Sequence, residues 1–148
     1  MQQALALARE AEGMEEVPVG ALVVHDGKVI AAAHNLRERD QDPTAHAELI
    51  AMQQAAKALG SWRLEGCTVY VTLEPCAMCA GAMVLSRIER CVFAASDPRG
   101  GFLGTLDDLS QHPILNHRFE VVSGVLAEES SDLLKSFFRD KRKNKRKK

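Results

Sequence analysis

The chain has 148 residues, 46% of them hydrophobic and 26% charged, which is enough for one domain with a proper core. It has no long apolar run and no signal-peptide pattern, so neither a membrane span nor secretion is expected. The net charge of −1 hides an asymmetry: residues 140–148 carry +6 and the rest of the chain −7, a basic tail on an acidic body that points to nucleic-acid contact.

Residues 2–14 read as a first helix, with Leu7, Ala11 and Met14 at helical spacing. Residues 19–24 and 28–33 are apolar and partly β-branched, and Asp26-Gly27 between them signals a hairpin. The polar run 36–44, with Asp42-Pro43, reads as a loop. Residues 45–59 form a second helix, with Leu49, Met52, Ala56 and Leu59 facing inward and Gly60 as its stop. Residues 67–73 alternate as a strand. Residues 76–85 form a helix apolar nearly all round, and so expected to be buried. Residues 90–95 are a fourth strand.

Residues 96–118 are the longest irregular stretch, with a short helix near 107–110; in a compact domain such a loop is functional or disordered. Residues 119–123 make a fifth strand and 127–141 the last helix, where Leu133/Phe137 and Leu134/Phe138 are i, i+4 pairs. The order predicts a single mixed α/β layered domain over 1–139, followed by the basic tail 140–148.

The chemistry concentrates in two short stretches, His46-Ala47-Glu48 and Glu74-Pro75-Cys76-Ala77-Met78-Cys79. Pro75 suits the first turn of a helix. Cys76 and Cys79 then share a face and can grip one ion, at a helix N-terminus that favours thiolates. His46 and Glu48 lie about 200° apart on a regular helix, so they share a site only off the helix tip. Two helix tips facing one zinc is the inferred geometry. With His46, Cys76 and Cys79 as the protein ligands, a fourth position stays open for water, as in catalytic rather than structural zinc sites. Glu48 is placed to move protons. Cys67 and Cys91 lack ligand spacing and read as core thiols, and Trp62 reads as packing. Without a secretory signal, the four cysteines suit a cytoplasmic protein.

These two stretches, extended to 43–48 and 72–83, resemble the bacterial tRNA-specific adenosine deaminases. Glu16–Ala21, His34-Asn35, Asn116-His117-Arg118 and Phe137-Phe138-Arg139 also match in order, so the likeness runs to Arg139. The resemblance implies a three-layer α/β/α cytidine deaminase-like fold, a five-stranded mixed sheet with helices on both faces. It implies one zinc per subunit, a homodimer, and conversion of adenosine to inosine at the wobble position of a tRNA anticodon stem-loop. Water activated by zinc adds to C6 of a flipped adenine while Glu48 shuttles the protons. Asn35, Asn116, Asp97 and Val17 are implied substrate contacts, with Phe138 for base stacking and Arg139 for phosphate. Residues that the family carries before its first helix are missing here. Two other readings use the same residues: a zinc deaminase of a free base or nucleotide such as guanine or deoxycytidylate, and a zinc-stabilised RNA-binding protein for which Glu48 would have no use.

Overall fold

The computed structural model describes residues 1–146. Its order is α1 (Gln2–Gly13), β1 (Gly20–His25), β2 (Lys28–His34), α2 (Arg37–Asp40), α3 (Ala47–Leu59), β3 (Cys67–Leu73), α4 (Ala77–Ser86), β4 (Arg90–Ala95), a 3₁₀ turn (Leu109–Gln111), β5 (Glu120–Val122) and α5 (Ala127–Arg146). The strands form one sheet in the order β2-β1-β3-β4-β5. The β2–β1 and β1–β3 pairs are antiparallel, while β3–β4 and β4–β5 are parallel. Among the described residues no helix is long and apolar enough to cross a membrane.

Period-2 alternation sorts the strand residues onto two faces. Ala21, Val23, Val69, Val71, Cys91 and Phe93 pack with Ala51, Met52, Met83 and Val84, on the α3/α4 side. Gly20 faces the other way, against α1. A Cβ there would collide with the Ala4 carbonyl and the Ala8 amide, so glycine lets the helix lie directly on the sheet. Thr72, on the same face as Gly20, accepts the Gly20 amide at 3.2 Å, and its carbonyl accepts the Ser130 hydroxyl of α5. Helices therefore cover both faces, α1 and α5 on one and α3 and α4 on the other. The hairpin turn is Asp26-Gly27, both at positive φ (50° and 73°), the geometry that matches strand twist.

Four differences from the sequence reading stand out. Residues 37–40, expected as loop, form the single turn α2, because the buried Glu16 carboxylate accepts the Glu38 and Arg39 amides at 2.9 Å each. That partner is more than twenty residues away, so no local signal announces it. Trp62 is 60% exposed rather than packed, with the Arg63 guanidinium 5.0 Å from its ring centre. The 76–85 helix buries Cys79, Ala80, Met83 and Val84, but leaves Leu85 74% exposed. Finally, residues 140–146 of the expected tail continue α5, while Lys147 and Lys148 lie outside the described residues.

Candidate active site

The metal-ligand candidates sit at two helix heads. His46 is the N-cap residue of α3, and Cys76 is the N-cap residue of α4. Both are extended, so their side chains turn off the helix tip (φ/ψ −80°/146° and −75°/179°). Pro75 thus stands one residue before the cap, not in the first turn. Its fixed φ and absent N–H end β3's run cleanly before α4 begins. Cys79 lies inside the first turn of α4 and is buried.

His46 Nδ1 lies 3.6 Å from Cys76 Sγ and 3.5 Å from Cys79 Sγ. Zinc bonded tetrahedrally to sulfur at about 2.3 Å and nitrogen at about 2.0–2.1 Å sets those donors about 3.5–3.6 Å apart. The donor set therefore fits zinc, in chemistry and in spacing. The electrostatics agree. A hydrogen bond from Cys79, with help from His46, holds the Cys76 thiol down to about 3, while the same sharing and burial push Cys79 up. The hydrogen bond to Cys76 likewise raises His46.

Glu48 is the second residue of α3 and is 4% exposed. Burial pushes its carboxyl up to about 7, a range that suits a group exchanging protons near neutrality. Asn35 is buried at the end of β2, and its Oδ1 accepts the Ala47 amide at 2.8 Å. It therefore satisfies one of the open N–H groups at the head of α3, beside His46 and Glu48.

A groove of about 1280 Å³ runs between Leu73, the 95–99 segment, Val17 and one face of α5. A smaller cavity of about 240 Å³ adjoins it, walled by Asn35, Val17, Phe137 and Phe138. Val17, Phe138, Lys141 and Glu15 belong to both. The metal trio and Glu48 are not in the groove wall. The groove reaches their end of the sheet through Leu73, just before Glu74-Pro75-Cys76, and the smaller cavity does so through Asn35.

The structure thus gathers Asn35, Val17, Asp97 and Phe138 around adjoining cavities. Phe138 is 46% exposed and available for stacking, while Phe137 is buried. Arg139 is exposed but belongs to neither cavity wall, because it lies off the helix face that carries 134, 138, 141, 142 and 145. Asn116 is exposed and stands elsewhere: next to it, His117 Nε2 meets the Ile88 carbonyl at 2.7 Å, at the start of β4, whereas the metal ligands follow the end of the parallel β3. Within one chain these are opposite ends of the sheet. Sequence reasoning did not single out Lys135, Lys141, Arg142 and Lys145 as one cationic face. Counted from Phe138, residues 141, 142 and 145 fall at i+3, i+4 and i+7, a stripe that needs α5 to continue past residue 141.

Residues 1–142 match the MafB19-like deaminase family. The chain is 57% identical over 146 residues to the tRNA-specific adenosine deaminase of Bacillus subtilis, covering 99% of this chain and 91% of that one. The chain belongs to the tRNA-specific adenosine deaminase family. A solved structure from a study of A-to-I editing by tRNA:A34 deaminases at the wobble position of transfer RNA superposes with a TM-score of 0.87 at 43% identity, covering 90% of this chain and 97% of that one. The guanine deaminase of Nitrosomonas europaea is more distant, with a TM-score of 0.75 at 25% identity and coverage of 92% and 81%. The five-stranded α/β cytidine deaminase-like fold expected from the sequence is the fold observed.

Proposed function

We propose that this chain converts adenosine to inosine at the wobble position of a tRNA anticodon, with release of ammonia. The observation that carries this reading is the pairing of two helix heads that set His46, Cys76 and Cys79 at zinc-donor spacing beside the buried Glu48, in a chain 57% identical to a tRNA-specific adenosine deaminase.

His46, Cys76 and Cys79 are the residues that would hold one zinc per subunit. When bound, zinc lowers the pKa of a water toward neutrality and polarises it for attack. Glu48 then does the proton work: it takes a proton from the attacking water and passes it to the adjacent ring nitrogen, then takes the second proton from the new C6 hydroxyl and gives it to the departing amine as the C6 carbonyl forms. Its burial keeps bulk water from competing for those protons. Water's oxygen replaces the amine at C6, and the amine leaves as ammonia.

The base must leave its stack to reach Glu48, which costs least in a single-stranded loop such as an anticodon. Asn35 and Val17 line the adenine's side of the cavities, and Asp97 faces the flanking ribose from the groove wall. Phe138 stacks on a neighbouring base, and Lys141, Arg142, Lys145 and Arg139 neutralise phosphates. Asn116 stays outside this proposal, since its loop is anchored at the far end of β4.

The apolar face of α4 supports a homodimer. Ala77 and Leu85 are exposed along it, and the neighbouring loop, whose Phe102 amide bonds the Pro75 carbonyl, adds Leu106 and Ile114, the latter 86% exposed. A cytoplasmic location follows from the RNA substrate.

A free-base deaminase is the second reading, favoured by the likeness to guanine deaminase. The cationic face of α5 argues against it, because a free base has no phosphates to neutralise. The deciding assay uses an anticodon stem-loop bearing adenosine at the wobble position, with inosine read by sequencing. Inosine made by the wild-type protein and not by Glu48→Gln supports the proposal. An unchanged stem-loop with wild-type zinc-loaded protein contradicts it.

A further inference from the structure

Glu74 precedes the metal-ligand motif and pairs with no base among the described residues. It is 2% exposed. Burying a carboxyl group costs several kcal/mol unless hydrogen bonds replace the lost water. Here the replacement comes from one loop. Glu74 Oε1 accepts the Asp97 amide at 3.0 Å and the Thr105 hydroxyl, while Oε2 accepts the Leu103 amide at 3.0 Å and the Thr105 amide at 3.1 Å. Glu74 caps no helix, as α4 has no side-chain cap at its head. Its own amide bonds the Ala95 carbonyl at 2.8 Å, so both its backbone and its side chain tie to the segment that leaves β4.

Gly101 shows how closely that clasp is fitted. A Cβ there would land on the Glu74 carboxylate itself. The carboxylate is the mobile end of a side chain, but its hydrogen bonds to three positions of the loop leave it nowhere to retreat. The same loop is pinned to the metal helix a second time, by the Phe102 amide on the Pro75 carbonyl at 2.9 Å. Asp97, whose Oδ1 accepts the Arg99 and Gly100 amides at 3.0 and 3.2 Å, stands on this clasped segment and lines the groove.

We propose that Glu74 is a positioning residue: its buried carboxylate clasps the 97–105 loop to the head of α4, and so sets the Asp97 wall of the groove at a fixed distance from the metal ligands. The inference rests on the adenosine reading only for its substrate readout. Among the described residues no side-chain hydrogen bond joins Glu74 to His46, Cys76, Cys79 or Glu48, so loosening the clasp is expected to act on the substrate's flanking residues rather than on the reacting bond.

The test uses full-length zinc-loaded protein and the variants Glu74→Gln, Glu74→Ala, Gly101→Ala and the double variant Glu74→Ala with Gly101→Ala. Zinc content, amide hydrogen exchange and stem-loop kinetics are measured on each. Glu74→Gln is expected to keep its zinc and to lose exchange protection at Asp97, Leu103 and Thr105 together. Its KM for the stem-loop should rise roughly tenfold, the scale of one charge-assisted hydrogen bond, with a smaller change in kcat. Gly101→Ala should reproduce that pattern, and adding it to Glu74→Ala should change little, since the methyl then enters vacated space.

Unchanged exchange at the three amides in Glu74→Gln would overturn the proposal, as would equal and independent effects in the double variant. If Glu74→Gln does not fold, Gly101→Ala carries the same comparison. Exchange needs no RNA, so a wild-type protein inert toward the stem-loop would count against the substrate reading without deciding the clasp.

Discussion

The heads of α3 and α4 and the face of α5 solve different problems with different materials. At the helix heads, His46, Cys76, Cys79 and Glu48 are buried or half-buried, and N-cap geometry aims the two cap residues. Each side chain has little freedom, as chemistry on a single atom requires. Along α5, Phe138, Lys141, Arg142 and Lys145 line an open groove from a solvent-facing helix surface. Such a surface recognises a flexible polyanion by charge and stacking, and it tolerates small displacements. On this reading chemistry is held by a few buried or half-buried residues, and recognition is spread over several exposed ones. Substitutions should therefore act sharply at the first region and gradually at the second.

The largest effect is expected at Glu48. Glu48→Gln should lower kcat by roughly 10³-fold or more while zinc content and stem-loop affinity hold. Single-turnover kinetics with parallel metal analysis will check this, and a loss confined to binding would break the contrast. Next comes the ligand set. Cys79→Ser should lose most of the bound metal and with it the activity, and a chelator should inactivate the wild-type protein reversibly, with added zinc restoring it.

The α5 face should respond in smaller steps. Lys141→Glu together with Arg142→Glu should weaken stem-loop binding by about tenfold or more and flatten its dependence on salt, because fewer counterions are released. Turnover of saturating substrate should change little. Binding isotherms at several salt concentrations test this, and an unchanged salt slope would remove α5 from the interface. Phe138→Ala should cost about 1–3 kcal/mol of binding if a base stacks there. Smallest in its effect on the chemistry itself is Leu85→Glu. It should convert a dimer to a monomer in sedimentation or light scattering, and a monomeric wild-type protein would contradict that use of the α4 face.

The same contrast explains what could be read from the sequence. The clustering of the candidate metal ligands was legible because its parts are local: a histidine two residues before a glutamate, and a proline before two cysteines three apart, each pattern confined to one helix head. Asp26-Gly27 and Gly60 were legible for the same reason, since a positive φ leaves a mark in the residue that adopts it. Glu74 was visible beside the cysteines, but its partners stand 23 to 31 residues further on, in a loop with no periodicity of its own. Glu16 and α2 hid for the same reason. Trp62 was misplaced because an aromatic residue after a helix stop is usually packed, and only the fold reveals that this turn faces solvent. The basic segment at 140–146 was read by composition alone. The helical stripe that joins Lys141 and Arg142 to Leu134 and Phe138 emerges only once α5 continues through them.

The most direct test of the account compares kcat/KM for an adenosine-wobble stem-loop with that for free adenosine, guanine and deoxycytidylate, under one set of conditions with the zinc content known. The account predicts that the stem-loop is preferred by several orders of magnitude, and that raising the salt erodes this preference through KM. Turnover of a free base or nucleotide that matches or exceeds the stem-loop's would contradict it, and would leave the two helix heads serving a small-molecule deaminase.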